Sequence, residues 1–230
     1  MEQPLSFTEH LEELRVRLIR SIVAVIIASC ITYAFIEAIL AVLIRPIGEL
    51  IFIAPQEAFV TYLKIALFGG IFLASPVVIY QIWRFIGIGL RVHERRYAML
   101  FGPVSFLLFV IGAVFGYAII VPVGLHFLLG FATESIKPMI TLSQYISFVG
   151  VLTLVFGCVY QLPLAMVFVT RVGLISPQIL SARRREVIVA IFIVAALLTP
   201  PDVITQLLLA IPLLALFELG ILFSKLFAKK

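Results

Sequence analysis

The sequence predicts an all-α integral membrane fold: six transmembrane helices in a concave bundle, both termini in the cytoplasm, and the last two helices short. Three observations predict it. The hydrophobic fraction is 63% and the mean hydropathy is +1.22, well above the roughly 45–50% apolar content of soluble domains. Only 13% of the 230 residues are charged, too few to cover a soluble surface. Finally, 14 of the 17 Lys and Arg residues fall on one side of the predicted helices.

Apolar stretches supply the spans, since a helix needs about 20 residues to cross a hydrocarbon core of about 30 Å. They predict a single transmembrane domain over 1–230. Its spans lie at about 18–42, 62–84, 97–122, 143–171, 186–200 and 203–223. The uncharged run that begins at Tyr97 is too long for one span, so we expect Pro122 and Gly124 to end that helix.

The last two apolar stretches, 187–201 and 203–217, have 15 uncharged residues each and meet at a proline turn. At about 1.5 Å per residue, each covers roughly 22 Å of the core. They predict two short helices that thin the bilayer locally or leave a cavity open on one side. A re-entrant hairpin is the alternative interpretation.

Orientation follows from the basic residues, because cytoplasmic loops carry an excess of Lys and Arg. These residues lie in the N-terminal segment, the two even loops and the C-terminal tail, which predicts that all four are cytoplasmic. Four glutamates in the first 14 residues argue against a cleavable signal peptide. The net charge of +5 reflects this bias, and no nucleic-acid-binding motif accompanies it. The basic residues are Arg15, Arg17, Arg20, Arg84, Arg91, Arg95, Arg96, Arg171, Arg183, Arg184, Arg185, Lys225, Lys229 and Lys230.

Enzyme signatures are missing from the sequence. It contains no GxxxxGK[ST] loop, no HExxH and no GxSxG. His10, His93 and His126 have no spacing that suggests a shared metal. Cys30 and Cys158 lie inside apolar runs, where a cysteine usually acts as a small hydrophobe. We therefore expect no enzymatic activity, no cofactor and no metal.

Two predicted cytoplasmic segments carry carboxylates. Ser6 and Glu9 form a capping box, so a helix should begin near Phe7 and place Glu13 on a polar face. Glu94 is the lone acid among four arginines of the next loop. Carboxylates on both segments suit a guanidinium partner, through bidentate, charge-assisted contacts. An ordinary solvated face and simple charge balancing are the alternatives.

Polar residues inside or next to the predicted spans form a second candidate set, because such groups usually face a bundle interior or a wet cavity. They are Lys64, Gln161, Asp202, Gln206 and Glu218. Snorkelling explains Lys64 and Glu218 equally well. Helix capping is the alternative for Asp202, and one interhelical hydrogen bond is the alternative for Gln206.

Several motifs together resemble one family over about residues 5–225. The segment FTEHLEELRVR at 7–17 resembles the HLxELRxR signature of the TatC family, the polytopic subunit of the twin-arginine protein translocase. The other motifs are SPVVIYQIWRFI at 75–86, HERR at 93–96, YISF at 145–148, LTPPDV at 198–203, Gln206, and AIP at 210–212. The family usually has a proline where Ile88 stands and often a glutamate where Gln161 stands.

The resemblance implies a receptor that binds the twin-arginine signal peptides of folded precursor proteins. It implies assembly with the single-span TatA and TatB subunits, self-association in the complex, and export driven by the proton-motive force. It also implies a location in the bacterial cytoplasmic (inner) membrane. The rival hypothesis is a small secondary transporter with a midplane polar site, although the sequence has no inverted repeat.

Motif positions imply two groups of functional residues. The signal-peptide surface would comprise Glu13, Glu94, Arg17, His10, Phe85 and His93. The intramembrane polar cluster, where a partner helix docks, would comprise Gln161, Thr199, Asp202 and Gln206. In both groups the resemblance, rather than spacing alone, supplies the role.

Overall fold

The computed structural model describes residues 7–45, 50–90, 92–130, 139–198 and 203–227, with side chains except at 7, 92–99 and 198. Within these residues the regular secondary structure is helical, apart from one isolated bridge between Ile51 and Thr141. The α-helices are α1 (Phe7–Ala34), α2 (Ile36–Ile44), α3 (Pro55–Ile88), α4 (Val92–Phe115), α5 (Val121–Leu129), α6 (Leu142–Val159), α7 (Leu162–Arg171), α8 (Pro177–Ala182), α9 (Arg184–Leu198) and α10 (Val203–Phe227). The predicted all-α class is confirmed.

Four helical stretches are long and apolar enough to cross a membrane. They are Pro55–Ile88, Leu100–Leu129, Leu142–Arg171 and Val203–Phe227. The pair α1 and α2 adds a fifth if it counts as one span. Helix α9 has 15 residues, about 22 Å of helix. The described residues therefore support a multi-pass membrane protein, and the count of six spans stays a prediction.

The last helix corrects the expectation that both final helices are short. Helix α10 has 25 residues, which at about 1.5 Å per residue is long enough to cross the core. It continues past Glu218, whose carboxylate lies 2.8 Å from the guanidinium of Arg184. Because this charge is paired, it does not interrupt the helix. Of the last two helices, only α9 is short.

Pro122 does not end the third predicted span, contrary to expectation. The chain makes a π-helical turn over Gly116–Ile120 and continues as α5 to Leu129. The N–H of Val121 donates to the carbonyl of Gly116, five residues earlier. A proline ring needs extra room against the preceding turn, and the wider π turn provides it.

The first predicted span is also not one straight helix. Helices α1 and α2 meet at an angle of 76°, with Phe35 between them in a non-helical conformation. The hydroxyl of Thr32 donates to the carbonyl of Ala28, and such back-bonding favours a bend. Helix α1 alone, with 28 residues, is already longer than the core is thick.

The described residues group into two compact units. The first comprises those up to Phe106 together with Ile140–Ser147, and the second comprises the remainder. In the first unit α1 packs along α3, where a Cβ added at Gly70 would lie 2.7 Å from the Ser29 backbone. Glycine therefore permits close approach of these two helices. In the second unit α10 packs against α7 and α9.

Candidate functional site

Arg17 is the buried centre of the predicted signal-peptide surface. It lies on α1 with 5% of its surface exposed. Its Nη1 donates to Oε1 of Gln81 at 3.1 Å, and its Nη2 pairs with Oε1 of Glu13. Glu13 and Arg17 are one helical turn apart on the same face. The structure therefore links α1 to α3 through a hydrogen-bonded chain of carboxylate, guanidinium and amide.

A ring pair stands on the same two helices. The rings of His10 on α1 and Phe85 on α3 have centroids 4.6 Å apart and are tilted by 32°, within the range of favourable ring contacts. Glu13 follows His10 by three residues, so both point to one side of α1. Four of the six predicted surface residues, namely His10, Glu13, Arg17 and Phe85, are thus joined through α1 and α3.

The other two members of that surface, His93 and Glu94, lie in the first turn of α4, which begins at Val92. Their side chains are outside the description. A carboxylate near a helix N-terminus is favoured by the helix dipole. That Glu94 and Glu13 lie on one surface stays a prediction.

The predicted intramembrane cluster is described in part. Gln206 on α10 donates from Nε2 to the carbonyl of Phe192 on α9 at 3.0 Å. Gln161 stands at the break between α6 and α7, where its N–H donates to the Cys158 carbonyl. Thr199 and Asp202 lie outside the described residues. The interhelical hydrogen bond considered for Gln206 is present.

A polar clasp, formed by Glu57, Lys64, Ser143 and Ser147, joins α3 to the start of α6. Lys64 donates to the hydroxyls of Ser143 and Ser147 at 2.7 and 2.8 Å. Glu57 accepts from the backbone N–H of Ile53 at 2.9 Å and from that of Ser143 at 3.1 Å. These two amides lower the pKa of the Glu57 carboxyl, which precedes the predicted span 62–84. Lys64 is therefore hydrogen-bonded and does not simply snorkel.

Sequence reasoning missed two of these residues as contributors. Gln81 belongs to the motif at 75–86, and no role of its own was predicted for it. Gln81 follows the buried Ala74 by seven residues and so shares its helical face. Glu57 precedes the predicted span 62–84, yet it stands in the first turn of α3 just after Pro55. A carboxylate at a proline-initiated helix start is a recognisable signal.

Comparisons with known proteins agree on one family. The family described as Sec-independent protein translocase protein (TatC) matches residues 9–212. TatC of Desulforapulum autotrophicum is 42% identical over 100% of this chain and 87% of its own. TatC of Escherichia coli (strain K12) is 37% identical, over 96% and 88%. A crystal structure of the twin-arginine translocase receptor TatC matches with a TM-score of 0.86 and 41% identity, covering 95% of this chain and 99% of that chain.

The fold and these matches define a helical, multi-pass membrane component of a bacterial protein translocase. The chain belongs to the TatC family. Family membership confirms the predicted function as a translocase subunit and the prediction that the chain is not an enzyme. The alternative of a small secondary transporter finds no support in these matches.

Proposed function

We propose that this chain is the receptor and core subunit of a twin-arginine translocation system. It binds the twin-arginine signal peptides of folded precursor proteins. The observation that carries the proposal is the placement of Glu13, which buried Arg17 holds on α1 beside the His10–Phe85 ring pair. A carboxylate held in this way suits a guanidinium group.

Glu94 supplies the second carboxylate of the proposed site. It lies in the first turn of α4, soon after α3 ends at Ile88, and α3 also carries Phe85 and Gln81. Two carboxylates match two consecutive arginines of a peptide. Each charge-assisted hydrogen bond contributes about 1.5–3 kcal/mol, or about 10–150-fold in affinity.

Peptide binding to the purified full-length chain tests the proposal. Glu94→Ala should weaken the binding of a synthetic twin-arginine peptide at least about tenfold. A twin-lysine peptide should bind poorly to the parent, because an ammonium group cannot reproduce the guanidinium fork. Glu186→Ala is a matched control. Glu186 is exposed, pairs with Arg183 three residues earlier, and lies on a different segment from Glu13 and Glu94. Unchanged affinity in the Glu13→Ala, Glu94→Ala double variant would refute the proposal.

TatA and TatB are the proposed partners, docking at the cluster of Gln161, Thr199, Asp202 and Gln206. Supporting this, the hydrogen bond from Gln206 to Phe192 fixes α9 against α10 and so offers a defined helical face. The complex would also contain further copies of this chain and use the proton-motive force. A photo-crosslinker at position 206 should capture single-span partners, whereas one at 119, which is exposed elsewhere in the same unit, should not. Equal capture at both positions contradicts the docking site.

The proposed topology has six transmembrane helices and both termini on the cytoplasmic side of the bacterial inner membrane. The distribution of Lys and Arg supports it. In a variant whose Cys30 and Cys158 are replaced by serine, a cysteine at 137 should react with an impermeant reagent from outside. A cysteine at 94 should not. The reverse pattern would overturn both the topology and the receptor function.

A further inference from the structure

Gln81 is a buried amide with a single partner among the residues that the structure describes. It has 9% of its surface exposed, and its Oε1 accepts from Nη1 of Arg17 at 3.1 Å. The two residues are 64 positions apart, so the contact belongs to the packing of α1 on α3. Arg17 is also buried, with 5% of its surface exposed.

The bond to Gln81 sets the orientation of the Arg17 guanidinium. This group is planar, so fixing Nη1 also fixes the direction of Nη2, which pairs with Glu13. Nε of Arg17 is already buried and without a hydrogen-bond partner within the described part of the chain. Losing Gln81 would leave a second buried N–H unpaired, and the guanidinium would turn to recover a partner.

The orientation of Arg17 in turn determines what Glu13 can offer. Arg17 pairs with Oε1 of the Glu13 carboxylate. The Glu13 side chain is 35% exposed. Arg17 therefore holds Glu13 from the protein interior, while the exposed part of the Glu13 side chain is accessible to an external donor.

We infer that Gln81 is a positioning residue for signal-peptide recognition: it holds Arg17 so that Glu13 presents its carboxylate to an arginine of the peptide. The inference rests on the proposed function. A guanidinium donates along fixed directions, whereas an ammonium on a flexible stem tolerates a displaced carboxylate. Gln81 therefore contributes to the preference for arginine over lysine and not only to affinity.

The test is the affinity of the purified full-length chain for twin-arginine and twin-lysine peptides of otherwise identical sequence. Gln81→Leu removes the acceptor at similar volume. It should weaken the binding of the twin-arginine peptide about tenfold and weaken the binding of the twin-lysine peptide less. The preference for the arginine peptide over the lysine peptide should therefore fall. Gln81→Glu keeps an acceptor oxygen at the same position and should preserve most of the ratio. A loss of folding would lower both affinities by the same factor and leave their ratio unchanged, so it cannot imitate the expected result.

Tyr80→Phe is the matched control on the same helix. It removes the hydroxyl that accepts from Arg84 at 2.9 Å on the exposed side of α3, and the affinity ratio should stay unchanged. In a Glu13→Ala background, Gln81→Leu should cause no further loss, because Gln81 acts through Glu13. An unchanged ratio in Gln81→Leu, or the same loss with and without Glu13, overturns the inference. Failure of the proposed function would instead appear as insensitivity to Glu13→Ala and Glu94→Ala.

Discussion

The carboxylate of Glu57 accepts a hydrogen bond from the backbone N–H of Ser143 at 3.1 Å, although 86 residues separate the two. Ser143 is the second residue of α6, where backbone N–H groups have no partner inside the helix. Glu57 therefore caps α6 from the start of α3 and places a negative charge at the positive end of the α6 dipole. Two helices far apart in sequence are joined at their first turns.

Glu57→Gln should lower the melting temperature at neutral pH, because an amide oxygen is a weaker acceptor than a carboxylate. Hydrogen bonding lowers the pKa of Glu57 in the folded protein. Its contribution is therefore complete above the ordinary glutamate pKa of about 4.3 and is lost as pH falls through the lower folded value. Thermal unfolding between pH 7 and pH 3 should show a difference between parent and variant that shrinks in acid.

The control for this measurement is Glu12→Gln. Glu12 pairs with Arg15 in an arrangement where both side chains are more than half exposed, and such pairs contribute little. Its melting temperature should follow the parent throughout the pH range. A difference for Glu57→Gln that is as large at pH 3 as at pH 7 would contradict the capping role of the charge.

Gly70→Ala should destabilise the packing of α1 on α3. The new Cβ would lie 2.7 Å from backbone atoms of Ser29, so one helix must move, at a cost of about 1–3 kcal/mol. Gly102→Ala on α4 is the matched control, because a Cβ there meets nothing within 4 Å. That change should be neutral or stabilising by up to about 1 kcal/mol. The melting temperatures of the two variants, measured in the same detergent, test this prediction. Equal effects of Gly70→Ala and Gly102→Ala would disprove the close contact between α1 and α3.

Gln206→Leu should uncouple α9 from α10 with a modest loss of stability. Hydrogen bonds between membrane helices contribute about 0.6 kcal/mol on average, and this substitution removes the donation to Phe192. We expect export of a twin-arginine reporter to fall more than protein yield does. Gln144→Leu is the control, since Gln144 is exposed at the start of α6. Normal export by Gln206→Leu would show that the contact is dispensable.

Gln161→Leu should harm export more than Gln161→Glu does. Glutamine cannot titrate, yet it has nearly the shape of a protonated glutamate and keeps a donor and an acceptor. It stands at the break between α6 and α7, where a polar group suits a wet cavity. Export of a folded twin-arginine reporter in cells lacking their own TatC compares the parent with both variants. Normal export by Gln161→Leu excludes a polar role, and export by Gln161→Glu alone would show that the site needs a carboxylate.

Helix limits were only partly predictable from the sequence. Pro55 begins α3 and Gly89 follows its end, in accordance with the usual preferences, but the predicted span 62–84 lies well inside these limits. Pro122 was misleading, because a π turn before it relieves the steric conflict that normally ends a helix. Glu218 was misleading for another reason: its partner Arg184 comes from a different helix, and a pair of this kind leaves no mark in a hydropathy pattern.

The sequence by itself determined the membrane class, the predicted sidedness and the family. The first two depend on how many apolar and basic residues each segment holds, and the third depends on local motifs. Only the tertiary structure decided which residues meet across helices. The rotation of one helix against another depends on side-chain packing, here on the glycines of α3 that let α1 approach closely. That packing brings Arg17 within 3.1 Å of Gln81 and so determines how Glu13 is held.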